Sequence, residues 1–142
     1  MDAGVVIAEI SDTPIDVAAH IHAASDPSVG ALTTFIGTVR DHDPEAAGSV
    51  EALEYSAHPD APRILRELAQ KAAGEHALIA VTHRVGRLAV GDVAVVVVAA
   101  SAHRDEAFTA SRELIEAIKS DLPVWKKQQQ SDGASAWVGI GS

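Results

Sequence analysis

Lys119, Lys126 and Lys127 fall within the stretch "KSDLPVWKK" of a chain that is otherwise acidic. Pro123 and Trp125 lie between them. A solvated basic surface needs neither residue. A pocket that holds amines against an anion uses both, because the proline turns the chain and a buried indole anchors the segment that returns. That geometry brings Lys126 back toward Lys119, whose stem is then expected to be partly buried. Ammonium groups held together, with Arg104 and Lys126 expected as the cationic neighbours of Lys119, disfavour each other's charged form. A lysine that sheds its proton near neutrality is a nucleophile or a proton acceptor. For Lys119 alone, the plainer explanation is a helix C-terminus decorated with a cation that complements the dipole.

Two other groups of residues suit anions. In "SAHRDE" a strand ends at Ser101 and a helix opens near His103 or Arg104. A helix N-terminus offers unpaired N–H groups and the positive dipole end. Arg40 sits where a strand runs into a loop containing Pro44 and Gly48, a common place for binding residues. An exposed Arg40 beside Asp41 and Asp43, or an Arg104 paired with a nearby acid, is an equally available reading. The triplet "HRD" does not make a kinase loop, since Ala110 stands where that motif requires Asn. The seven histidines show no metal-ligand spacing, and His20 and His22 face different directions on a helix. No metal and no bound cofactor is expected.

These residues need elements to position them. "GVVIAEI" (4–10) reads as a strand, and Thr13, Pro14 and Asp16 open a helix over 14–24. Strands follow at 30–39 and 50–57, separated by a polar loop at 40–49. The segment 60–74 is a helix with Leu65, Leu68, Ala69 and Ala72 on its apolar face, a Glu67–Lys71 pair and Gly74 just past its end. Strands at 77–85 and 91–101 come next, the second apolar on both faces and therefore central. A long helix then presents Phe108, Ser111, Ile115, Ile118 and Leu122 along one side. "ASAWVGIG" closes the chain as a short edge strand. This order predicts an α+β fold, with helices packed on a mainly antiparallel sheet, in a single domain over 1–142.

The 142 residues are 47% hydrophobic and 22% charged, enough for an ordinary core, and with 4% aromatic residues that core must be Val, Ile, Leu and Ala. A net charge of −9 argues against a nucleic-acid partner. Seven of the eleven Lys and Arg residues lie between Arg84 and Lys127, so the basic character is local. Without cysteine the chain has no disulfide, thiolate ligand or Cys nucleophile and carries no persulfide. The start, Met1-Asp2-Ala3, has no basic n-region, and the longest apolar run, 93–102, is too short to span a bilayer. A cytoplasmic protein without membrane association is expected.

"FIGTVRDHD", "VEALEYSAH", "VTHRVGRLAVGDVAVVVVAASAHRDEAF" and "IKSDLPVWKKQ" together resemble the large, catalytic subunit of molybdopterin synthase, over about residues 31–128. The H-R-x-G-x-L-x-x-G-D, S-x-H-R and K-x-x-x-P-x-W-K-K segments, in that order, carry the resemblance. It implies an α/β hammerhead fold and a homodimer binding a small ubiquitin-like subunit at each end. The implied reaction inserts two sulfurs, delivered as a thiocarboxylate on the small subunit's Gly-Gly C-terminus, into cyclic pyranopterin monophosphate to form the molybdopterin dithiolene. On this sequence the family's essential lysine falls on Lys119 and its second active-site lysine on Lys126. Its substrate-binding basic residues fall on Arg40, His103 and Arg104, with Lys126 and Lys127 beside them. Gln128 replaces an acidic residue usual in the family, the tail is shorter, and "SAHPDAPRI" departs from the usual pattern. A chain without cysteine needs its sulfur from a partner, which agrees with this reading. A non-catalytic module that binds a phosphorylated small molecule or a protein C-terminal tail would need the same cations but no reactive lysine.

Overall fold

The computed structural model describes residues 2–41, 50–130 and 135–139. Eight strands and three helices follow one another among them: β1 (Gly4–Ser11), α1 (Val17–Ala23), β2 (Ala31–Thr38), β3 (Val50–Ala57), α2 (Ala61–Ala73), β4 (Ala77–Arg84), β5 (Gly86–Ala89), β6 (Val93–Ser101), α3 (Arg104–Asp121), β7 (Val124–Gln130) and β8 (Ser135–Gly139). They build the expected α+β architecture, but with two sheets rather than one. The first has the order β1-β4-β6-β2 and the second β5-β3-β7-β8. Only β1 and β4 run parallel among the described pairs; the others are antiparallel.

The apolar run of β6 is explained by burial on both faces. Val95, Val97 and Ala99 enter the larger core with Leu65, Ala69, Leu114 and Ile118 of α2 and α3. Val96, Val98 and Ala100 enter a smaller core closed by Ala24, Ile15 and Val17 on the α1 side. Leu53, Tyr55, Leu88 and Val124 of the second sheet join the larger core, so one apolar cluster links α2, α3 and both sheets. His20 fastens α1 to β4: its Nδ1 lies 2.6 Å from the Asp16 carbonyl and its Nε2 2.6 Å from Thr82 Oγ1. That accounts for a buried histidine without a metal, while His22 is exposed.

Several expectations are corrected. Helix α1 starts at Val17, not at Pro14. Thr13 is occupied in a turn with Ser11, and Asp16 caps the helix by accepting from the Ala19 N–H at 3.0 Å. On α2, Glu67 pairs with Arg63 at 2.9 Å rather than with Lys71. The apolar face of that helix is centred on Ala61, Leu65, Ala69 and Ala73, with Leu68 and Ala72 at its margin. On α3, Phe108 is 61% exposed and the buried face is Ala107, Ala110, Leu114, Ile115 and Ile118. The first turns pass close to β2, where Thr33 Oγ1 donates to the Ala107 carbonyl at 3.1 Å, so small residues fit there and a phenyl ring does not. Strands β5 and β7 were not expected. Trp125 does not anchor the chain by burial; it is 45% exposed. The anchors are Leu122 and Val124, at 3% and 1% exposure. The loop expected at 40–49 lies, from residue 42 onward, outside the described residues.

Candidate active site

The segment H-R-x-G-x-L-x-x-G-D is largely a folding device. Asp92 Oδ2 accepts from the Ala89 N–H at 2.9 Å and lies 3.6 Å from Arg84 Nη1, closing the turn between β5 and β6. Gly86 and Gly91 adopt φ of 93° and 91°, where a Cβ is strained. Leu88 fills the core at 0% exposure. His83, the first residue of the segment, is different. It is a buried titratable group at the end of β4, 1% exposed. Its Nδ1 lies 2.8 Å from the Arg84 carbonyl oxygen. Its ring meets Tyr55 edge-on, with centroids 5.2 Å apart and an interplanar angle of 73°. Burial above all, with the nearby Lys119 charge adding to it, pushes the His83 pKa down to about 4 against an opposing hydrogen bond to Arg84. Burial pushes the Tyr55 hydroxyl up to about 12.

That pair locates both lysines. Lys119 lies in the last turn of α3, near enough for its charge to reach His83. Lys126 is the cross-strand partner of Tyr55 between β3 and β7, and such partners share one face of a sheet. Lys119, through its charge on His83, and Lys126, through its pairing with Tyr55, are thus each linked to one member of this ring pair. Lys119 itself is exposed, contrary to the expectation of a partly buried stem, and Lys126 and Lys127 are half-buried. Lys127 lies opposite Glu54, which also faces Arg87 across β5, so it belongs to a charged row on the other face of the second sheet.

The remaining cations divide between two ends of the first sheet. Arg40 is exposed just after β2, next to Val39, which bonds to Asp92 and Gly91. In the first sheet, this is the end to which β4 brings His83, opposite Val95. His103 and Arg104 sit at the opposite end, where Ala31 and Ala77 flank Ser101. Arg104 and Lys119 are fifteen residues apart on one helix, or about 22 Å along its axis. Within one chain they do not line one pocket, and Arg104 is not the cationic neighbour of Lys119. His103 borders a cleft of about 290 Å³ with Ser28, Glu75, His76, Ala102 and Glu106. Asp105 and Glu106 occupy the first turn of α3 and complement its dipole, which weakens the attraction of that terminus for an outside anion. Among the described residues no group of three His, Asp or Glu residues is placed to hold a metal ion. No described helix is long and apolar enough to cross a membrane.

The sequence singles out neither His83 nor Tyr55. The available signal was a histidine in an otherwise apolar strand, but its neighbour Tyr55 lies far away in the sequence.

Comparison with known proteins identifies relatives of the whole chain. The "Molybdopterin synthase catalytic subunit 1" of Mycobacterium tuberculosis is 41% identical over 135 residues, covering 92% of this chain and 88% of that protein. The "Molybdopterin synthase catalytic subunit" of Bacillus subtilis is 40% identical over 136 residues, covering 92% and 83%. The crystal structure of molybdopterin synthase from Staphylococcus aureus superposes with a TM-score of 0.85 at 31% identity, over 92% of this chain and 96% of that one. The model of the family described as "MoaE protein" matches residues 10–121, and the chain belongs to that family.

Proposed function

We propose that this chain is the catalytic subunit of a molybdopterin synthase: a sulfurtransferase that takes sulfur from a thiocarboxylated, ubiquitin-like small subunit and builds the dithiolene on cyclic pyranopterin monophosphate. The observation that supports it is the convergence of Lys119 and Lys126 on one ring pair, in a chain 41% identical to a relative of that name. Lys119 is the proposed catalytic amine and Lys126 its electrostatic partner. Once a sulfur is bonded to the pterin it still carries the small subunit's acyl group. Releasing it breaks the acyl carbon–sulfur bond and leaves a thiolate on the pterin, either by attack of water whose proton the Lys119 amine accepts, which frees the small subunit as its carboxylate, or by attack of that amine, whose amide with the tail water then cleaves. The exposure of Lys119 suits this role, since the small subunit's C-terminal tail then covers the amine as it docks.

Arg40 is proposed to hold the substrate phosphate on the same end as Lys119. His103 and Arg104 stand too far along α3 to serve the same pocket in one chain, so in this reading they act from the second copy of a homodimer. Lys127, on the other face of its sheet, is proposed to meet the docked tail rather than the pterin. Incubation with small subunit and precursor, followed by assay for the dithiolene, tests the function. Product is expected with thiocarboxylated small subunit and none with its carboxylate form. No product from either contradicts the proposal.

A further inference from the structure

The two lysines come from different layers of the fold. Lys119 ends α3, which lies on the first sheet, and Lys126 stands on β7 in the second. Within the apolar cluster that joins these layers, one aromatic contact stands out near both of them: His83 of the first sheet against Tyr55 of the second, at 5.2 Å and 73°. In its own sheet His83 lies between Ile10 of β1 and Val95 of β6, both apolar. The Arg84 carbonyl only accepts, so the ring proton sits on Nδ1 and orients the imidazole. Across the sheet gap Tyr55 faces the ring and carries Lys126 as its strand partner. From α3, Lys119 approaches the ring closely enough for its charge to oppose protonation there.

We propose that His83 is a positioning residue of the lysine site: its edge-on contact with Tyr55 sets the gap between Lys119 and Lys126. It touches no substrate and acts through Tyr55 and the layers it joins. Displacement of a reacting group by about 1 Å costs on the order of a hundredfold in rate, so a contact that fixes this part of the joint between the two lysine-bearing layers affects turnover more than binding. The inference rests on the sulfur-transfer reading for its kinetic consequence, but not for its geometry.

Two measurements test it separately. In the first, the His83 ring is titrated by NMR in the parent and in Lys119→Ala. A neutral, Nδ1-protonated ring at pH 7 is expected, with a midpoint near 4 that rises when the Lys119 charge is removed. A midpoint near 6.5 that ignores Lys119 overturns the proposed placement, whatever the enzyme does. In the second, dithiolene formation is followed for His83→Asn, which keeps a donor for the Arg84 carbonyl but loses the ring, and for His83→Phe, which keeps the ring and loses the donor. His83→Asn should lower kcat by roughly ten- to a hundredfold, with KM and small-subunit binding within about threefold, and His83→Phe should recover most of that loss. Parental kcat in His83→Asn, or losses equal in both variants, overturns the positioning role. If one variant does not fold, the titration and the other variant still decide. If the parent makes no product, the proposed function fails while the titration still judges the joint.

Discussion

Lys119 and His83 show how differently two residues of a proposed site are written in a sequence. The lysines were legible because Pro123 and Trp125 made their spacing unusual. The reason first given was wrong in part, since Trp125 is exposed and Val124 is the anchor. His83 was not legible because its meaning depends on Tyr55, which reaches it only by folding. Its depressed pKa makes a prediction about stability. With a folded pKa of about 4 against 6.5 in the unfolded chain, the unfolded state binds more protons between those values. The stabilisation is therefore fully present above about pH 6.5 and is lost as pH falls toward 4. A shift of that size corresponds to roughly 3 kcal/mol. Urea unfolding at pH 7 and pH 4.5 should show a steeper acid loss for the parent than for His83→Asn, which has no ring to protonate. Parallel losses in the two proteins would contradict the buried neutral histidine.

The elements most visible in the sequence are those whose own pattern requires burial. Strand β6 is apolar on both faces because α1 closes one side and α2 with α3 closes the other. Strand β7 is the reverse case. "VWKKQQQ" has little strand character, yet β3 and β8 pair with it on both sides, so tertiary pairing overrides composition. Helix ends were misread where two caps competed, as at Thr13 and Asp16. Two substitutions check the corrected elements. Asp92→Ala removes the bond to Ala89 and the contact with Arg84, whose Nε is buried without a partner. About 1–2 kcal/mol of destabilisation is expected by urea unfolding, discounted because Asp92 is itself 44% exposed. Trp125→Ala should cost less than about 1 kcal/mol, as surface substitutions do. A loss of roughly 3 kcal/mol or more, the range of buried indoles, would restore the burial first expected for it.

At the scale of the whole molecule, net charge hides what matters. A chain at −9 still concentrates seven of its eleven Lys and Arg residues between Arg84 and Lys127, and folding sets two of them, Arg104 and Lys119, near opposite ends of α3. Arg104 is expected from the sequence beside Lys119; one continuous helix between them forbids it within one chain. This separation is the physical reason to expect a homodimer, and the proposed function adds a small subunit for each copy. Native mass measurement at micromolar concentration should find that assembly, and mixing Arg104→Ala with Lys119→Ala chains should restore part of the activity each lacks alone. Monomers only, or no recovery on mixing, would confine the site to one chain. The central claim is that Lys119 is a reactive amine and not a fixed charge. A guanidinium keeps the charge but stays protonated near neutrality, so dithiolene formation by the assembled complex carrying Lys119→Arg tests it most directly. The expected result is product from the parent complex and none from Lys119→Arg, with small-subunit binding intact; near-parental product from Lys119→Arg would contradict the claim and leave Lys119 as an anion-binding cation.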